Sequence, residues 1–274
     1  MMDQIVAGIH TTKPRTQPYV DAFVRGTPGP YKIYQFRDLK KLPDEALAFY
    51  GVLAGSGEVY KWCELEGRDF YFIDHGYFAN CHKPPHWFRI TKNMHCQIEL
   101  QDRPNDRYEK YFKRELQPWN KTGTKVLVLP PTNTIANFMK QENWLDDTLK
   151  ILKENTNKEI IVREKPYNPT VTKDHVGATV KVDKPTKHQP AIDWKEIYAT
   201  VTYNSNTVIA SLTNGVPVIC NSIMCAASPI SEHKPKNIEN LKYGDRLALF
   251  RSLSYNTFNL EEMENGTAWK ILNG

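Results

Sequence analysis

The chain has 274 residues, a formal net charge of +5 and a sequence pI near 8.8, which is enough for one large or two smaller α/β domains with a genuine core. With 40% hydrophobic and 24% charged residues it is not a disordered chain; no apolar run approaches the width of a bilayer, and residues 1–15 lack the basic-then-apolar layout of a secretion signal. Five cysteines (Cys63, Cys81, Cys96, Cys220 and Cys225) without framework spacing fit a reducing compartment, so a cytoplasmic location is expected, and the mild basic excess favours anionic ligands.

Residues 1–30 read as an extended, proline-punctuated lead-in with one short strand at 4–9. Residues 31–36 alternate and carry aromatics, which predicts the first firm strand. Pro43, Asp44 and Glu45 open a predicted short helix through Phe49, with the acids at the positive end of its dipole. The turn Gly55-Ser56-Gly57 leads into a helix over 58–66, and DFYFID at 69–74 is a strand ending in Asp74-His75. Residues 79–99 form a long loop, rich in histidine and cysteine, that runs into a strand near 96–100. Residues 103–114, RPNDRYEKYFKR, form either a solvated helix face or an edge that meets polyanions through Arg103, Arg107, Tyr108 and Arg114.

Residues 118–124 read as the connection between two domains, 1–120 and 121–274. KVLVL at 125–129 is the continuous apolar strand of a parallel sheet, followed by a helix at 143–155 and a strand at 158–163. Residues 168–190 are a polar loop or hairpin, and 193–198 a short helix. A strand at 200–203, a helix at 205–214, Gly215 and a strand at 216–220 complete a right-handed crossover, and helices at 241–254 and 260–272 close the chain. A strand, turn, helix and strand occur in both halves, so the expected class is α/β with two Rossmann-like lobes facing a cleft.

The free N–H groups opening the 205–214 helix, together with the Ser205 and Thr207 hydroxyls, form an anion site suited to a nucleotide phosphate. Asp74 and His75 emerge at the carboxyl edge of a parallel sheet, where ligands sit in open α/β folds, and either can take a proton; alternatively, both serve the turn. Cys81, His82, His86, His95 and Cys96 match no familiar zinc spacing, so no metal is expected. The chain has no Walker sequence, serine elbow or HExxH.

The run YNSNTVIASLTNGVPVI at 203–219 resembles the nucleotide-binding half of GT-B-type glycosyltransferases, most of all the branch with capsular-polysaccharide and sialic-acid-type transferases. The resemblance implies a metal-independent enzyme with no cofactor beyond a nucleotide-sugar co-substrate. It places the donor phosphate at Ser205, Asn206 and Thr207, with Arg163 and Lys165 upstream; Lys165 stands where the family often has histidine, and the family's widely spaced glutamate pair is not evident. In inverting members an Asp or His of the first lobe is the base, which points to Asp74 and His75. The basic balance, the 103–114 stripe and the lack of a membrane-spanning run suit a hydroxylated base in DNA as the acceptor, as for viral base-modifying transferases, with Trp87, Tyr108 or Tyr111 stacking on it; a polysaccharide or glycolipid is the competing acceptor. A non-catalytic nucleotide-binding module is the alternative outside enzymes.

Overall fold

Val6–His10 (β1) is an apolar strand whose first four residues are buried. The structure, a computed structural model, describes residues 5–79, 81–165, 180–183 (as backbone), 191–220 and 222–274, so Gln4, Pro166, Asp174 and most of the 168–190 loop lie outside the described residues. After β1 comes a helix, Gln17–Arg25 (α1), where an extended lead-in is expected. Pro18 occupies its first turn, where a missing N–H costs nothing, and Val20, Phe23 and Val24 bury one face against the sheet. Lys32–Gln35 (β2) matches the expected strand. Ala46–Tyr50 is a buried strand (β3), not a helix: it pairs in parallel with β1, and a five-residue apolar run carries no periodicity able to distinguish the two. Ser56–Glu66 (α2) and Phe70–His75 (β4) follow as expected. The histidine-rich segment holds Phe88–Lys92 (β5), antiparallel to β4, while residues 96–100 are not a strand.

The second half begins with Lys125–Leu129 (β6), whose alternate side chains enter two cores: Val126 and Val128 on one face, Leu127 and Leu129 on the other. Asn133–Phe138 (α3) is a helix absent from the sequence-based expectations, although Thr132 caps it by accepting from the Ile135 N–H. Trp144–Asn155 (α4) buries Leu145, Leu149 and Leu152 on the Val126 face, and Glu159–Arg163 (β7) and Val180–Asp183 (β8) follow. Residues 194–196 form a turn rather than a helix, entering Ile197–Thr202 (β9). Thr207–Thr213 (α5) and Val218–Ile219 (β10) complete the expected crossover. Arg246–Ser254 (α6) begins five residues later than expected. Then come Thr257–Phe258 (β11), Leu260–Glu264 (α7) and Thr267–Asn273 (α8). The single helix expected at 260–272 is broken at Gly266, whose φ of +81° an L side chain rarely adopts. Backbones touch there: a Cβ on Gly26 would lie 1.9 Å from the Met263 carbonyl oxygen.

Contacts divide the chain into one unit of Met1–Gln97, Arg103–Phe112 and Arg251–Gly274, and another of Ile98–Asp102 and Lys113–Phe250. The chain first leaves the first unit after Gln97, returns to it for Arg103–Phe112 and leaves it again, whereas a single connection at 118–124 is expected. Residues 251–274, expected with the second domain, pack in the first, because Phe258, Met263 and Ala268 enter its core and Trp269 lies 5.3 Å from the Tyr71 ring. The first unit's sheet runs β11-β5-β4-β3-β1-β2, with β1 to β4 parallel. The second runs β10-β9-β6-β7-β8, all parallel. Both are doubly wound orders, and the direction of winding reverses between β1 and β3 in one and between β6 and β9 in the other.

Candidate functional site

In doubly wound sheets ligands bind beyond the carboxyl ends of the strands, where the winding reverses. In the first unit that place belongs to His10, the last residue of β1, which the sequence reading passed over. Its Nε2 donates to Asp21 Oδ1 of α1 at 2.7 Å. This leaves Nδ1 as the acceptor, with the amide of Gln35, its register partner on β2, at 3.4 Å. The ring is therefore fixed by an acid on one nitrogen and holds a weakly engaged lone pair on the other. Thr11, Gln17, Gln35 and Arg37 line with it a cavity of about 270 Å³.

Asp74 and His75 end β4, two strands from that point. Asp74 faces Arg89 across the antiparallel pair, and the buried guanidinium donates to its Oδ2 at 2.7 Å while the His75 N–H donates to Oδ1. His75 Nδ1 lies 2.7 Å from Cys81 Sγ; the residue is exposed, but desolvation on the side of the ring facing the protein, outweighing the opposing pull of Asp74, lowers its pKa. Of the histidines and cysteines singled out from sequence, Cys81 and His82 come together with His75. His86 instead bonds the Cys81 carbonyl at 2.8 Å, and Cys96 packs beside the Tyr77 hydroxyl.

His95 is buried against Phe72, with ring centroids 4.6 Å apart, and its Nε2 accepts from Arg89 at 3.3 Å. Burial first, and then the Arg89 charge, hold its pKa well below that of a free imidazole. The Tyr60 ring, also titratable, lies 6.4 Å from it. The unfolded chain takes this proton near pH 6.5 and the folded chain does not, so the stability is complete above that pH and declines below it. The unfolding free energy from urea denaturation is expected to fall between pH 7 and pH 5, by at most about 1.4 kcal/mol per pH unit from this group, and a His95→Gln variant should flatten the slope.

In the second unit the reversal point is tied shut by Thr202 Oγ1, which donates to the Leu129 carbonyl at 2.7 Å and joins the ends of β9 and β6. Thr202 Oγ1 accepts from the Ser205 N–H at 3.2 Å, and Ser205 Oγ accepts from the Thr207 N–H at 3.3 Å. Ser205 thus sits in a fixed turn, with its hydroxyl hydrogen left to donate. Asn206 opens α5 beside it. Arg163 closes β7, and Lys165 lies two residues beyond, along the same carboxyl edge. Tyr203, Ser222, Ile223, Ser228 and His233, which follow β9 and β10, line a cavity of about 430 Å³. A larger hollow of this unit, about 1010 Å³ against Lys153, Lys158 and Glu239, lies at the opposite, amino ends of β6 and β7.

The basic stretch is not a uniform surface. Arg107 is buried, donating to both Glu262 carboxylate oxygens at 2.6 and 3.0 Å and to the Ser254 and Thr257 carbonyls. Tyr108 and Trp87 are buried as well, packed against Phe78 and Phe112. Arg103 lies over the Tyr255 ring, Arg114 belongs to the other unit, and Tyr111 is exposed. No helix among the described residues is long and apolar enough to cross a membrane.

No family model and no curated protein matches this chain. Among solved structures it is similar to the β Kdo 2,4 transferase of Thermosulfurimonas dismutans KpsC, at 14% identity, over 94% of this chain and 93% of that one, with a TM-score of 0.56. It is also similar to the β Kdo 2,7 transferase of the same organism's KpsC, at 12% identity over 98% of both chains, with a TM-score of 0.49. The first likeness establishes a shared fold over nearly the whole chain.

Proposed function

We propose that the protein is a glycosyltransferase that moves a sugar from a nucleotide-activated donor to an acceptor hydroxyl. The observation that carries this reading is the whole-chain fold shared with a sugar transferase, in a protein whose two reversal points each hold polar groups suited to one half of the reaction. The donor phosphate takes the Ser205–Thr207 turn, with Arg163 and Lys165 as counter-charges and the 430 Å³ cavity beside Tyr203 for the nucleoside. His10 is the base on the acceptor side. The acceptor proton passes to Nδ1, the acceptor oxygen bonds to the anomeric carbon, and the bond from that carbon to the donor phosphate breaks. Negative charge then grows on the phosphate, where the Ser205 hydroxyl and the two cations stabilise it, since the Ser205 and Thr207 N–H groups already serve the turn, and no step calls for a metal or cofactor.

Asp74 is the second candidate for the acceptor proton, because it too ends a parallel strand, but both of its carboxylate oxygens are already engaged, Oδ2 by buried Arg89 and Oδ1 by the His75 N–H. A saccharide hydroxyl is the acceptor favoured over a DNA base, since Arg107, Tyr108 and Trp87 are buried away from any polyanion.

The test is a thermal-shift panel of nucleotides and nucleotide sugars, followed by turnover with saccharide and hydroxymethylated-DNA acceptors. A donor that binds the folded chain raises its melting point. Ser205→Ala should weaken that donor roughly 5-fold, the worth of one hydrogen bond. If no nucleotide sugar shifts the midpoint and none is consumed, the reading fails; binding without turnover would make the chain a nucleotide-binding module.

A further inference from the structure

The structure assigns a transition-metal site, suited to Zn²⁺, to His75, Cys81 and His82, which lie at and beyond the end of β4. Their ligand atoms all lie within 4.8 Å of one another, with Cys81 Sγ 2.7 Å from His75 Nδ1 and 3.8 Å from His82 Nδ1. Zinc bonds of about 2.3 Å to sulfur and 2.0–2.1 Å to nitrogen put tetrahedral ligand atoms about 3.5 Å apart. The observed separations straddle that value, so small side-chain rotations admit the ion. One thiolate and two imidazoles form a donor set that prefers zinc to magnesium or calcium. Cys81 forms the buried floor and the two histidines the exposed rim, which gives an entry path and leaves a fourth position for water.

The surroundings hold the ligands in place. The His86 ring bonds the Cys81 carbonyl at 2.8 Å, the Tyr50 hydroxyl lies 3.8 Å from Cys81 Sγ, and the His75 and His82 rings pack edge to face at 5.0 Å. The sequence hides the site because His75 ends a strand six residues before the adjacent pair Cys81-His82, a spacing that belongs to no familiar motif. The ion would tie β4 to the loop that follows it. This inference is independent of the proposed sugar transfer, and its test reads metal alone.

The full chain, stripped with a chelator, is titrated with Co²⁺ and then competed with Zn²⁺. One equivalent of cobalt should give a thiolate-to-metal absorption band that zinc abolishes. Cys81→Ser should remove the band and weaken zinc by roughly 100-fold, and His82→Ala by at least roughly 10-fold. His82 is exposed, so the second variant decides the matter if the first misfolds. Absence of the band, or metal binding equally tight in His82→Ala, overturns the site.

Discussion

His10→Ala is expected to lower turnover roughly 10²- to 10⁴-fold, about 3–5 kcal/mol of barrier, while leaving the melting point and donor affinity near those of the parent. The expectation rests on how the imidazole is held. Asp21 takes the Nε2 proton at 2.7 Å and thereby fixes which nitrogen is the acceptor. His10 also ends the strand at which the winding of the first sheet reverses. Asp21→Asn keeps the shape but removes the charge that sets the tautomer, so it should lose activity without losing donor binding. The decisive comparison is with Asp74→Asn. If that variant is inactive and His10→Ala is not, the proton goes to Asp74, and His10 is a structural residue.

Arg107→Ala is expected to cost about 3–5 kcal/mol of stability, because it strands the Glu262 carboxylate in a buried site. The guanidinium fills four acceptors at once, two on Glu262 and the Ser254 and Thr257 carbonyls. Glu262 also closes the cap of α7, accepting from the Asn259 N–H while its own N–H donates to Asn259 Oδ1. Losing the arginine therefore loosens a helix start as well as an ion pair. Urea denaturation measures it; an unchanged midpoint would mean that the pair holds nothing. Replacing both partners with methionine should restore much of the loss, since an apolar pair leaves no charge without a partner.

Much of the architecture is legible in the sequence where patterning is strong. KVLVL at 125–129 and DFYFID at 69–74 are strands because apolar runs of that length suit a sheet covered on both faces. Short or mixed segments mislead. ALAFY is too brief to show a period and becomes β3, and Pro18 reads as a loop residue although a proline in the first turn starts α1 well. The donor turn is visible because its residues are consecutive. The His10 dyad is hidden because its acid lies eleven residues on, across a loop and a helix turn. A histidine closing the first strand, followed by a helix with an inward acid, is the signal that would have revealed it. Arg107 misleads in a third way: its basic neighbourhood resembles a surface, yet its partner is 155 residues distant in the chain.

The return of residues 251–274 to the first unit dictates an order of events during synthesis. Domains usually form as they leave the ribosome, earliest residues first. Here the Tyr71 hydroxyl waits for Asn273 Oδ1, 202 residues further along the chain, and Phe88 waits for β11. The amino-terminal half must therefore emerge with an uncovered apolar flank and stay so while more than a hundred further residues are made. Its nascent form is thus a natural client for chaperones.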